Sequence, residues 1–212
     1  MGRRGELARQ ALLDSAEELF ATHGIDSVSN RRVAEHAGQS NHSAVNYYFG
    51  DRDELLRALV ERYREPVRRI RAELFARLPA DPSLTENLQC LILPVTGHIG
   101  ALPAPTWRAR LQRQLAMTPS TAAMLVESAR EDDISDRVIA RIHESLAAVP
   151  APVRAGRERI VGRMIIDICA EYETRISEGS QPAEWTALGY FLTDACAGLL
   201  SAAVSHSDFT GL

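Results

Sequence analysis

The side chains best suited to chemistry stand close together near the start of the chain. Asn41, His42, Ser43 and Asn46 are short polar residues of the kind that reach base edges in a DNA groove. Arg31 and Arg32 upstream, and Arg52 downstream, carry guanidinium groups that suit phosphate oxygens. Ala34, Gly38 and Val45 interleave with them. A small residue that admits a second helix, a glycine four positions on that turns the chain, and an aliphatic anchor beyond it are the framework of a helix-turn-helix. On these residues alone, an ordinary helical hairpin with a polar surface stays open as the alternative.

Other candidate chemistry is thin. The sequence has no GxGxxG, no phosphate-binding GxxxxGK[ST] loop and no GxSxG elbow. The histidines His23, His36, His42, His98, His143 and His206 show no HxxxH spacing. Glu127, Glu131, Asp132, Asp133 and Asp136 crowd one stretch but lack the alternating ligands and the glycine of a calcium loop. A solvated helix end is expected there, with no metal and no cofactor. Cys90, Cys169 and Cys196 have no CxxC spacing and sit in apolar stretches, so reduced core thiols in a cytoplasmic protein are expected. An enzyme is not expected.

Charge narrows the place where an anionic partner would bind. The chain of 212 residues carries a net charge of −4, and all 24 basic residues are Arg. Residues 1–71 have a balance of +1 and the remainder one of −5, so a DNA-facing surface has to be local to the first third.

The positioning elements are helices. Apolar residues recur at helical spacing throughout and strand signals are nearly absent, so the fold class is all-α. A first helix is expected over Glu6–His23, stopped by Gly24, with Ile25 and Val28 folding back as a plug. Ser29 suits the N-cap of a helix over Asn30–Ala37, and Ser40 or Asn41 the cap of a third helix running to Phe49. Asp51 with Glu54 opens a fourth, whose apolar stripe continues to Leu74 through a kink at Pro66. Further helices are expected over Leu84–Leu102, weakened by Pro94 and two glycines, and over Trp107–Met117. Ser120–Ala148 is one long helix or two, with a break near Glu131–Ser135; Val153–Glu178 follows, and Glu184–His206 ends the series. Trp185–His206 holds a single charge, Asp194. Its hydroxyl groups and lack of Arg anchors favour burial in a bundle or subunit interface over a membrane span.

Residues 7–60 resemble the N-terminal domain of TetR-type transcriptional regulators. The resemblance is carried by Phe20 and Gly24, by VAEHAG in the second helix and by YYFGDRDELL leading into the fourth. It implies a three-helix DNA-binding domain, here residues 1–50, and a helical effector-binding and dimerising domain, here residues 51–212. The implied partners are double-stranded DNA with a palindromic operator, a second copy of the chain, and a small-molecule effector that usually releases DNA. Tyr47 falls on a position often used for DNA contact and Arg52 on the basic position after the turn. One departure stands out: Gly38 to Val45 spans seven residues where the family usually has six. Ser40 to Ser43 therefore lie either in a bulged turn or ahead of a later helix start.

Two further surfaces are expected. The apolar run of the last two helices points to a homodimer through Ile160, Met164, Ile168, Tyr172, Trp185, Leu188, Leu192, Ala195, Leu199 and Ala202. The Pro- and Gly-broken stretch around residues 94–105, with large adaptable side chains nearby, suggests an apolar pocket. Its candidate lining is Phe75, Thr96, His98, Trp107, Leu111, Gln114, Met117, Met124 and Met164. A sequence-specific regulator is the leading reading. A helical adaptor that keeps the hairpin without binding DNA is its rival, and salt-dependent, site-selective DNA binding separates the two.

Overall fold

The computed structural model describes residues 2–130 and 132–206, so Glu131 of the acidic run lies outside the described residues. Those residues form helices without a strand: α1 (Arg3–His23), α2 (Asn30–His36), α3 (Ala44–Phe49), α4 (Arg52–Glu61), α5 (Arg64–Phe75), α6 (Leu84–Ala101), α7 (Arg108–Met117), α8 (Pro119–Arg130), α9 (Asp133–Ser145), α10 (Ala151–Ser177) and α11 (Trp185–Ser201). They divide into two compact units. The first takes residues 1–65 and 105–128, the second residues 66–104 and 129–212.

The first unit closes around α1. Its apolar stripe, Leu12, Leu13, Ala16, Leu19 and Phe20, is almost completely buried. Against it pack Val33 and Ala34 of α2, Val45 of α3, and Leu55, Leu56, Leu59 and Val60 of α4. Ile25 and Val28 plug the core from the connection between α1 and α2, at 4% and 1% exposure. Leu111 and Leu115 of α7 complete the cluster, with α7 lying along α1.

The expected fourth helix is two helices. It breaks at Arg62 and Tyr63, four residues before Pro66. The proline has no amide to offer the Arg62 carbonyl, and its ring crowds that carbonyl, so the distortion falls one turn upstream of the residue that causes it. A polar cluster occupies the break. The buried Glu17 carboxylate accepts from the Tyr63 hydroxyl at 2.8 Å and from Arg62 at 3.2 Å, and Arg62 also pairs with Asp14. Burial and the Glu17 charge push the Tyr63 pKa well above its ordinary value.

The second unit is built on α6, which packs against α9 and α11. Ser83 and Glu86 form a capping box at its start. Pro94 lies inside α6 without interrupting it. The helix runs unbroken to Ala101 with Pro94 buried, and α11 crosses it very closely. A Cβ on Gly189 would lie inside van der Waals distance of Thr96 Oγ1 and 2.8 Å from Leu93 Cδ2. One on Gly100 would lie 2.9 Å from the Trp185 Cβ. α11 ends at Ser201, five residues before the expected end. None of the described helices is long and apolar enough to cross a membrane. The three cysteines are buried free thiols. Burial raises the pKa of Cys90, and pushes Cys169 to about 12 and Cys196 to about 11.

Candidate nucleic-acid interface

Within the first unit, α2 and α3 are fixed from below by four buried residues, Val33, Ala34, Ala44 and Val45. Ser29 caps α2 by accepting from the Arg32 amide at 3.2 Å. Gly38 takes φ +68°, a left-handed conformation open to glycine at little cost, and the Gln39 amide then returns to the Ala34 carbonyl at 2.9 Å.

The extra residue in the connection delays the next helix. α3 begins at Ala44, not at Ser40 or Asn41. Asn41 caps a turn instead: its side chain accepts from the Ser43 amide at 2.9 Å, and its carbonyl accepts from the Ala44 amide at 3.0 Å. Ser40, Asn41, His42 and Ser43 are therefore exposed residues of the turn, while Asn46 and Tyr47 are the exposed residues of the helix. Tyr47 is 74% exposed and stands edge-on to Tyr48.

Flanking groups are partly spoken for. Arg31 donates to Glu35 at 2.7 Å, and His42 Nδ1 lies 3.6 Å from the same carboxylate. The Arg31 hydrogen bond and the neighbouring charges hold the Glu35 pKa below the usual carboxylate value. Arg32 reaches His23 Nε2 at 3.0 Å. Both arginines remain on the surface.

Arg52 departs from expectation. It does not extend to solvent toward a phosphate but folds inward over the Phe20 ring, with its guanidinium carbon 5.0 Å from the ring centre. One nitrogen donates to the Ile25 carbonyl and another to Asn30 Oδ1 at 3.1 Å. The Ile25 carbonyl, which also accepts from the Val28 amide at 3.4 Å, and the Phe20 ring at the end of α1 meet there, and a planar donor fork engages both. Burial outweighs the nearby Asp26 and Asp53 and lowers the guanidinium pKa. Asn30, which carried no signal in the sequence beyond its place next to the cap, donates in turn to Asn46 Oδ1 at 3.5 Å.

Residues 12–59 match the family model described as bacterial regulatory proteins, tetR family. That stretch, from α1 into α4, is what the chain shares in sequence with the tetR family. Solved structures share the wider fold. A TetR family transcription regulator from Marinobacter aquaeolei VT8 superposes with a TM-score of 0.58 at 18% identity, over 92% of this chain and 98% of that one. One from Shewanella sp. PV-4 gives 0.57 at 16%, over 88% and 95%. A TetR-like regulator from Rhodococcus sp. RHA1 gives 0.52 at 19%, over 92% and 97%. No curated protein matches the chain.

The expected pocket residues do not come together in either unit of this TetR-like fold. Trp107, Leu111, Gln114, Met117 and Met124 belong to the first unit, and Phe75, Thr96, His98 and Met164 to the second. Leu111 is wholly buried in the core around α1, with Trp107 and Met124 packed on its edge, while Met117 is 73% exposed. Thr96 is spent under Gly189. Phe75 lies beneath the guanidinium groups of Arg137 and Arg141, 4.6 and 5.0 Å away. α7, close in sequence to α6, packs on α1. The second unit does have an open cleft of about 630 Å³, lined by residues including Gly97, Gly100, Glu184, Trp185, Thr186 and Tyr190.

The expected dimer residues divide by burial within their own chain. Tyr172, Trp185 and Leu192 are buried within their own chain at 9%, 4% and 0% exposure. Tyr172 stacks edge-on against Trp185 at 5.1 Å and donates to the Pro182 carbonyl at 3.0 Å. Met164, Ile168, Leu188, Ala195 and Leu199 are half-buried and Ala202 is exposed. The large apolar side chains left exposed on these two helices are Ile160, Tyr190 and Phe191. An all-apolar helix conceals which of its faces a neighbour has already taken.

Proposed function

We propose that the chain is a sequence-specific DNA-binding transcription regulator that acts as a homodimer on a palindromic site. One observation carries this: a TetR-family helix-turn-helix whose buried side is complete and whose outer side presents Asn41, His42, Ser43, Asn46 and Tyr47 to solvent. Short polar side chains in the turn, with an asparagine and a tyrosine on the helix after it, suit base edges in the major groove. Arg31 and Arg32, at the rim, suit flanking phosphates, and Ser40 lies at the entry to the turn. Residues 1–50 then form the DNA-reading domain and residues 51–212 the effector and dimerisation domain.

The dimer would form through the outer faces of α10 and α11, where Ile160, Tyr190 and Phe191 are 47%, 49% and 62% exposed. Apolar surface of this kind is a liability unless a partner covers it. Two-fold symmetry would set the two reading helices about 34 Å apart. Repression relieved by a small apolar effector is the mode we favour, with the α6–α11 cleft as its seat, because its volume falls in the range typical of ligand sites.

Selection of bound duplexes from a random pool tests the reading. A palindromic consensus is expected, with affinity falling steeply as salt rises. No enrichment, or binding indifferent to salt, would leave the helical adaptor as the better description.

A further inference from the structure

Asn46 is tied to the other side of its domain by a short chain of side chains. Its Oδ1 accepts from Asn30 Nδ2 at 3.5 Å, Asn30 Oδ1 accepts from Arg52 at 3.1 Å, and Arg52 donates onward to the Ile25 carbonyl. The three residues come from the exposed face of α3, the first turn of α2 and the first turn of α4. Each middle member uses both of its ends. Asn30 accepts with its oxygen and donates with its nitrogen, and the Arg52 fork bridges Asn30 and the connection after α1 while resting on Phe20.

We propose that Arg52 is a positioning residue: acting through Asn30, it orients the Asn46 carboxamide on the reading helix, and it does not itself neutralise a phosphate. This rests on the DNA-binding reading above. The Asn46 oxygen is turned toward Asn30, so its outward-facing groups are the Nδ2 hydrogens. Such a group suits acceptor edges, guanine N7 and O6 or thymine O4, in preference to the two-bond contact with adenine that requires oxygen and nitrogen together. An asparagine free to flip its amide would not discriminate in this way.

The proposal separates cleanly from a phosphate contact. A phosphate-binding arginine supplies charge, which lysine also supplies, and its loss weakens all sequences evenly and lowers the salt slope by about one. A positioning fork supplies geometry, which lysine cannot reproduce. Binding of the full-length protein to its selected duplex and to random-sequence duplex is measured by fluorescence anisotropy across a salt series, for the parent, R52A, R52K and N30A.

In R52A and R52K, affinity for the selected site should drop about 10-fold. Affinity for random duplex and the salt slope should stay at parental values. N30A, which removes no charge, should lose about as much, and R52A/N30A should lose no more than either alone. Repeating the selection with N30A should broaden the base read by Asn46. Thermal melts accompany each variant. Should R52A melt near the assay temperature, N30A and R52K decide the matter. R52K binding like the parent, or R52A losing a unit of salt slope and weakening both duplexes equally, would overturn the proposal and leave DNA reading intact. A parent protein with no preferred site would overturn both.

Discussion

Asp132 offers the sharpest test of the second unit. Its carboxylate is 6% exposed and pairs with Arg71, itself 11% exposed. The same carboxylate caps α9, accepting from the Ile134 amide at 3.2 Å, the Ser135 amide at 3.3 Å and the Ser135 hydroxyl at 3.0 Å. Arg71 also donates to the Cys90 carbonyl at 3.1 Å, so one ion pair joins α5, α6 and the start of α9. Asp132→Ala removes the cap and strands a buried guanidinium, and the expected loss is about 3–5 kcal/mol. Asp132→Asn keeps an acceptor for the α9 amides and reduces the Arg71 contact to a bond with a neutral partner, a loss of about 1–2 kcal/mol. Chemical denaturation at one fixed protein concentration measures both. The pH dependence has a definite sign. Burial opposes the charged carboxylate, but Arg71 and the Ser135 hydrogen bonds prevail and hold the Asp132 pKa below its ordinary value. Its stabilisation is therefore present above the ordinary carboxylate pKa of about 4 and is lost as pH falls through the lower folded value. The gap between parent and Asp132→Asn should be full at pH 7 and narrow below pH ~4. An Asp132→Ala variant within 1 kcal/mol of the parent at pH 7, or one no worse than Asp132→Asn, would refute the reasoning.

Other expectations follow from the same packing. Gly189→Ala should cost about 1–3 kcal/mol, since its Cβ would meet Thr96 and Leu93; a Gly189→Ala/Thr96→Ala double variant should recover part of that loss in a thermal melt. The three thiols should resist a disulfide-exchange reagent at pH 8 in the folded protein and react together on unfolding, because burial keeps them protonated and covered. Phe191→Glu should shift the protein from dimer to folded monomer in sedimentation velocity. A parent that is already monomeric at micromolar concentration would show that the α10–α11 face has no second copy to cover it.

What the sequence disclosed depended on whether a signal was local. Helix periodicity, the glycine stop after α1, the Ser29 cap and the Val45 anchor are written within a few residues of where they act. The break between α8 and α9 falls where the acidic run stands, but the expected solvated end is wrong for Asp132, which caps α9 and is buried at 4% exposure. The added residue after Gly38 was countable, and the later start of α3 is one of the two outcomes it allowed. Partners distant in sequence were not legible. Arg52 was read as a phosphate ligand because arginine in a basic motif position ordinarily faces outward, yet its partner carbonyl, Ile25, lies 27 positions back. Leu111 was assigned to a pocket because it neighbours a broken stretch, whereas its environment is decided by α1.

Pro66 lies between these extremes, and it shows how a local rule gains meaning from remote groups. The sequence places the proline and predicts a distortion, and the steric rule puts that distortion at Arg62. Nothing nearby says that the freed backbone falls where Glu17, Asp14 and Arg108 converge. Arg62 and Tyr63 leave the helix and turn their side chains onto α1, where Glu17 accepts from both. Arg108 of α7 covers the Tyr63 ring at 4.6 Å and donates to the Leu59 carbonyl at 3.3 Å. A straight helix would satisfy its own carbonyls and offer α7 no purchase there. The proline thus converts the end of α4 into a polar seat for a helix more than forty residues downstream. That seat adds a polar contact to the apolar packing of Leu111 and Leu115 against α1, which holds residues 105–128 in the first compact unit.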